Sequence, residues 1–263
     1  MSIYRFGKLV MAVGISALLA GCEKNALSSS EFQYITPQEA QVKVIFTSSY
    51  QANPGFHIKI NDARVSGVLN FTSGNPTPFP GGGLQTGGGS TSDYLIVPAR
   101  ENKITIARPF VGTANDSVLL ATSTNTFEAG KKYSLYFTDT AAKTTSLLVV
   151  DSLTAPDSGF VRYKFINLMP DLPGVDLYLG TLKVAENIPF KGVSPAFTIP
   201  TNNASTTWAI RSAGSATNLH TYASAASVAT SNQRVMTVIA RGYSTISAAA
   251  DTRKRAVSLI YNQ

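Results

Sequence analysis

The segment Val161–Gly180 (VRYKFINLMPDLPGVDLYLG) aligns without a gap on Val42–Asn61 (VKVIFTSSYQANPGFHIKIN), and this internal repeat constrains the fold more than any other feature. Both copies begin and end in period-two alternation, the mark of a strand with one apolar face, and both place Pro-Gly just before the second strand. Val161 falls on Val42, Phe165 on Phe46, Pro173-Gly174 on Pro54-Gly55 and Leu177 on Ile58. Further on, Phe197–Pro200 falls on Leu95–Pro98 at a smaller offset, Gln233–Val238 on Lys131–Tyr136, and Ser258–Tyr261 on Ser146–Val149. The change of offset marks a glycine-rich insertion in the first copy.

A chain of 263 residues that is 44% hydrophobic can bury two ordinary cores, and the repeat assigns one to each copy. With only 14% charged residues, and Ser, Thr, Gly and Asn between short apolar runs, the composition is that of a strand-rich exported protein. The expected fold is all-β: two tandem antiparallel β-sandwiches, Ig-like or transthyretin-like, behind a lipoprotein signal peptide. In the first copy, strands are expected at Val42–Phe46, Phe56–Ile60, Tyr94–Pro98, Lys103–Ala107, Ser117–Thr122, Lys132–Thr138 and Ser146–Val150, seven being the count of a small sandwich.

The domain boundaries follow. Residues 1–21 have a basic start (Arg5, Lys8), an apolar stretch from Leu9 to Ala20 and small residues before Cys22, the pattern of a secretory signal peptide. Leu19-Ala20-Gly21-Cys22 resembles the lipobox of bacterial lipoproteins, which implies acylation of Cys22 and cleavage before it. A lone cysteine in an exported chain has no disulfide partner, and lipidation gives it a use. Residues 22–41 then form a polar tether, 42–153 the first sandwich with an insertion over 66–92, 154–159 a polar joint, and 160–263 the second sandwich. The expected address is the cell envelope, most naturally the outer membrane, reached through the lipid anchor, on either face.

The formal charge of +7 falls to +5 once Arg5 and Lys8 leave. The cationic residues are scattered, and Arg253-Lys254-Arg255 beside Asp251 reads as a solvated loop, so no nucleic-acid partner is expected.

No catalytic residue is assigned. His57, alternating with Ile58 and Ile60, is expected on the polar, exposed face of its strand. His220 lies mid-strand in a polar run. Gly192–Ala196 (GVSPA) lacks the last glycine of a nucleophile elbow and carries Pro195. Two isolated histidines and a lipidated cysteine do not make a closed metal site, and no cofactor motif occurs, since GGG at 81–83 and 87–89 belongs to neither dinucleotide- nor P-loop fingerprints. The insertion reads as slack, or as a loop ordered only by a partner. Aromatic faces suit sugars, so Trp208, Tyr178 and Phe79 are the candidate binding residues; for Trp208, alternating with Ile210, a core role is the competing reading.

The second copy carries a family resemblance. Phe165–Asp171 (FINLMPD), Pro173–Tyr178 (PGVDLY), Ile188–Ser194 (IPFKGVS) and Phe197–Pro200 (FTIP) resemble the DUF4397 family of exported bacterial proteins. The resemblance implies β-sandwiches in tandem, on lipoproteins of Bacteroidota, with no established activity or catalytic residues. The first copy departs from the pattern at Ser48 and Ala52. The signature turn is Asn167, Pro170, Asp171, Pro173 and Gly174, where Asn167 and Asp171 are expected to cap backbone amides. A cation site at Asp171 and Asp176 is the lesser reading, because calcium ligands come in a denser run. Asp116-Ser117-Val118, Asp139-Thr140-Ala141 and Asp151-Ser152-Leu153 resemble an O-glycosylation acceptor pattern, which makes Ser117, Thr140 and Ser152 candidate sites. These features predict a non-catalytic envelope protein that binds or presents a glycan, a peptide or another envelope protein. The alternatives are an adhesin-like component assembling by strand addition and, behind it, a hydrolase.

Overall fold

The computed structural model describes residues 38–47, 55–71, 75–87, 89, 91–109, 116–151, 154–224 and 231–263, all of them within one compact unit. The first half of that unit supplies β1 (Glu39–Phe46), β2 (His57–Ile60), β3 (Ala63–Arg64), β4 (Leu95–Pro98), β5 (Glu101–Pro109), β6 (Asp116–Thr126), β7 (Lys132–Thr138) and β8 (Thr145–Val150). The second half supplies β9 (Phe160–Leu168), β10 (Val175–Leu179), β11 (Leu182–Ile188), β12 (Phe197–Pro200), β13 (Thr207–Ser212), β14 (His220–Ala223), β15 (Val235–Arg241) and β16 (Ala256–Tyr261). Among the described residues each half has eight strands; in the first, where seven were expected, the addition is the two-residue β3, too short to leave a periodic signal.

The two halves repeat one topology. The first forms sheets in the order β4-β1-β7-β8 and β3-β2-β5-β6, the second β12-β9-β15-β16 and β11-β10-β13-β14. In both, the opening strand runs parallel to the seventh and all other pairs are antiparallel. This is an all-β fold of two sandwich units.

Registers correct the expected alignment. Phe46 lies opposite Phe137, and Phe165 opposite Val238, so Val238 corresponds to Phe137 and not to Tyr136. Leu259 likewise corresponds to Ser146, one residue from the expected match. A one-residue slip reverses the face of every side chain. Ile199, opposite Val161, corresponds to Leu95 opposite Val42, a slip of two that keeps the face.

Three apolar layers follow from the pleat. Val42, Val44 and Phe46 meet Ile58, Ile104 and Ile106 inside the first sandwich. Val161, Tyr163, Phe165, Met236 and Val238 meet Leu177, Trp208 and Ile210 inside the second. The opposite faces of the same inner strands, Ile45, Tyr136 and Val149 on one side and Ile166, Leu168, Ile239 and Ile260 on the other, form a third cluster. The described unit is a stack of four sheets with both faces of its two inner sheets covered. At about 25 cal/mol per Å² of apolar surface, that middle layer favours one body over two independent beads.

The middle layer also corrects the expected polar faces. Lys43 and Thr47 are fully buried because the face they share abuts the second sandwich. His57 is buried too, not exposed, and the chain beyond β3 turns back beside β2, where Phe56 and Leu69 exchange backbone bonds of 2.9 and 2.7 Å.

The glycine-rich insertion is a strap, not slack. Phe79 exchanges both backbone bonds with Val44 at 2.9 Å and packs on the first core. Five residues on, Leu84 N donates to Leu259 O at 2.8 Å and Leu259 N returns a bond to Leu84 O at 3.0 Å, so the strap adds to the edge of β16. The partner that orders it is the second sandwich of the same chain. Arg241, fully buried and pushed by burial to a pKa of about 9, donates to Asn75 Oδ1 at 2.7 Å and to Ser258 Oγ at 3.0 Å, while Ser258 Oγ donates to Gln85 O.

Candidate functional site

The polar side chains of the middle layer gather at one rim of the junction. Asp151 follows β8 directly, and its Oδ1 meets Lys164 Nζ of β9 at 2.7 Å, with the two side chains 1% and 6% exposed. Asp151 Oδ2 accepts Ser134 Oγ at 2.6 Å and Tyr94 OH at 3.0 Å. Lys43 Nζ crosses from the first sandwich to Tyr261 O of the second at 2.6 Å and stands 4.8 Å from the Tyr94 ring centre. Desolvation lowers the Lys43 ammonium to a pKa of about 8 against the opposing pull of Asp151. Desolvation likewise pushes the Tyr94 phenol upward, with Asp151 adding to the effect. Thr237 Oγ1 donates to Asn262 Oδ1 at 2.7 Å and Asn262 Nδ2 to Tyr94 OH at 3.3 Å, which ties the network to β15 and the end of the chain's last strand.

Two concavities with charged and amide groups in their walls open over this network. One, of about 590 Å³, is lined by Gly130, Lys131, Lys132, Val150, Asp151, Thr154, Ala155 and Gln263. The other, of about 520 Å³, is lined by Thr91, Ser92, Asp93, Asn232, Gln233, Arg234 and Gln263, so Gln263 is common to both. Lys132 Nζ lies 5.4 Å from the Tyr94 ring centre and the Arg234 guanidinium 4.8 Å from that of Tyr261. Cations held against ring faces and edged by hydroxyl and amide groups can take a polar ligand with anionic or sugar-like character. The expected joint at 154–159 is pinned here, since Arg162 Nη1 donates to Thr154 O and Oγ1 at 2.9 and 3.0 Å.

The sequence-based binding candidates do not converge. Trp208 is fully buried in the second core, edge-on to Tyr163 at 5.0 Å, so its competing core role is the one observed and it cannot meet a ligand. Phe79 is spent on the strap. Tyr178 lies on the outer sheet, where the Arg211 guanidinium at 4.0 Å and Lys183 Nζ at 5.8 Å already cover its ring.

The signature turn performs the expected capping, at longer range than anticipated for Asp171. Asn167 Oδ1 accepts Met169 N at 2.9 Å and its Nδ2 donates to Ile188 O at 2.9 Å. Asp171 Oδ2 accepts both the N and Oγ of Ser244 at 2.7 Å. Asp176 accepts Asn187 N at 2.7 Å and Gly214 N at 3.2 Å. Pro170, Pro173 and Gly174 form the loop between β9 and β10, and the Gly174 carbonyl accepts Ala213 N at 3.0 Å. With both carboxylates engaged this way, Asp171 and Asp176 serve loop geometry.

His220 Nδ1 accepts Val257 N at 3.2 Å, and burial, then nearby Arg241, Lys254 and Arg255, lower its pKa to about 4. Its imidazole caps the edge of β16. Among the described residues no three His, Cys, Asp or Glu side chains gather as metal ligands. Thr140 is half-buried beside Asp139 and Tyr243, whose hydroxyl donates to Asp139 Oδ1. Cys22, Leu19, Ala20, Gly21 and Ser152, and the side chain of Ser117, lie outside the described residues.

Sequence reasoning missed Lys43, Tyr94, Asp151 and Lys164. The available signal was a lysine inside each opening strand, Lys43 between Val42 and Val44 and Lys164 between Tyr163 and Phe165, each flanked directly by apolar residues.

The sequence profile described as Domain of unknown function (DUF4397) matches residues 40–178. The match covers the first sandwich from the second residue of β1 and continues through β9 and most of β10, whereas the sequence resemblance was clearest in the second half. No curated protein matches the chain. With more than half of its length matched, the chain belongs to the DUF4397 family.

Proposed function

We propose that this protein is exported, anchored in the cell envelope by lipid on Cys22, and there binds or presents a glycan, a peptide or another envelope protein without converting it. The observation that carries the binding reading is the junction rim, where two concavities share Gln263 and place Lys131, Lys132 and Arg234 on a body held together by the middle layer. Such a surface is pre-organised, so little ordering cost opposes binding. Repetition of strand order supports reading the two halves as tandem copies of one family domain, and the Leu19–Cys22 motif supports the anchor and an outer-membrane address.

The test is a glycan array and an envelope-protein pulldown with wild type and with Lys132→Ala/Arg234→Ala. Loss of two charge-assisted contacts is worth about 3 kcal/mol, roughly 100-fold in affinity. Equal capture by both proteins would sink the rim as the site. Palmitate labelling that persists in Cys22→Ala would sink the anchor.

One observation favours strand addition as a second reading. β6 is an edge strand of eleven residues, carries neither charge nor proline from Ser117 to Thr126, and leaves Leu119 64% exposed. Such an edge can pair with another chain. A concentration-dependent oligomer that Leu119→Lys abolishes would support it; a monomer at all concentrations would remove it.

A further inference from the structure

The Asp151 and Lys164 side chains meet across the junction, one at the end of the first sandwich's last strand and one in the first strand of the second. Their contact has features that an ordinary ion pair does not need. Lys164 Nζ sits 2.7 Å from Oδ1 and is steered by a second bond of 3.3 Å to Val150 O. The other carboxyl oxygen, Oδ2, receives two hydroxyl donors, Ser134 Oγ at 2.6 Å and Tyr94 OH at 3.0 Å. An amine is thus held beside a carboxyl whose far oxygen lies in a small oxyanion-type cradle, away from bulk water.

We propose that Lys164 and Asp151 condense into an isopeptide bond that covalently joins the two sandwiches. Nitrogen in hydrogen-bond contact with Oδ1 stands about 3.5 Å from the carboxyl carbon, the separation of a near-attack arrangement. One proton passes from the ammonium to the carboxylate, leaving a neutral amine and a carboxylic acid. The nitrogen lone pair attacks Cγ, and the displaced electron pair rests on Oδ2, where Ser134 and Tyr94 hold it. Collapse restores the carbonyl at Oδ2 and breaks the bond from Cγ to Oδ1. Of the three ammonium protons, one stays on the amide nitrogen and two leave with Oδ1 as water. No oxidant, reductant or cofactor is consumed.

Burial favours both ends of this step. It fixes the two groups at an effective concentration far above any in solution, and the neutral amide replaces a charge pair whose desolvation is costly. The cross-link closes only the short loop over the joint, and its consequence is mechanical: the sandwiches cannot peel apart at the rim.

Mass spectrometry of the purified, denatured protein decides the matter. Wild type is expected one water lighter than its processed sequence requires, and Lys164→Arg, which keeps the cation, at full mass. A tryptic digest of wild type should contain a branched peptide with two amino termini, Thr144 and Tyr163, in which Lys164 has resisted cleavage. Asp151→Asn should reach the same product by losing ammonia. Full mass in wild type overturns the proposal, as does a one-water deficit that maps to any pair other than Asp151 and Lys164.

Discussion

Replacing Gly83 by alanine tests the strap through sterics alone. A Cβ at this position would stand 2.4 Å from Leu259 O and 2.9 Å from Thr86 Cγ2. The first neighbour is backbone, in a strand hydrogen-bonded along its length to β15, so the strap must move and β16 stays. Moving it forfeits the two backbone bonds between Leu84 and Leu259, at about 1 kcal/mol each. It also exposes Leu84, half-buried against the second core, for roughly another 1 kcal/mol. The loss at the Leu84–Leu259 contact is near 3 kcal/mol, which is about a 100-fold change in local opening. Amide hydrogen exchange at Leu259, whose N–H points to Leu84 O, should therefore accelerate about 100-fold in Gly83→Ala. Gly214→Ala is the control: its φ of +77° strains any other residue, yet nothing lies within 4 Å of the new methyl. That variant should lose about 1 kcal/mol overall and leave Leu259 exchange alone. Unchanged Leu259 protection in Gly83→Ala, or equal acceleration in both variants, would refute the strap.

Two pH dependences follow from buried bases. Lys43 titrates near pH 8 in the fold and near 10.5 when unfolded, so between these values the unfolded chain holds more protons and stability rises with pH. The rise approaches about 3 kcal/mol and is reversed above about pH 10, where buried phenols such as Tyr94 and Tyr136 stay protonated in the fold while the unfolded chain loses theirs. Urea melts of Lys43→Met should lack the rise between pH 8 and 9, below the range in which the buried Arg241 contributes a rise of its own; its persistence there would show that another group causes it. His220 is depressed to about 4, so stability should fall as pH drops from 6.5 toward 4, and His220→Asn should flatten that slope in the same melts.

The repeat made the strands and their recurrence in the second half legible, because Pro-Gly turns and alternating apolar residues report strands without reference to their surroundings. What alternation cannot report is what covers the other face. Lys43 and Thr47 look solvated in sequence, and only the second sandwich lying on that face buries them. The same ignorance produced the one-residue slip at Val238, since both Tyr136 and Phe137 face apolar layers and either match preserves hydrophobicity. Glycines 81–83 read as slack because composition cannot distinguish a chain that is free from one that must approach another backbone closely. Gly82, with φ +102° and a virtual Cβ only 1.9 Å from Thr91 O, is of the second kind. The rim was invisible for a related reason: Asp151 and Lys164 become a pair only when the two halves stack.

The account rests on the two sandwiches behaving as one body, and the single tryptophan gives a direct test. Trp208 is fully buried in the second core, so its fluorescence reports the second sandwich alone. Ile58 is fully buried in the first, and Ile58→Ala should cost about 3 kcal/mol. If the junction couples the halves, the Trp208 denaturation midpoint falls in Ile58→Ala together with the midpoint by far-ultraviolet circular dichroism. A Trp208 midpoint that stays at the wild-type value while the circular dichroism transition splits in two would contradict the account.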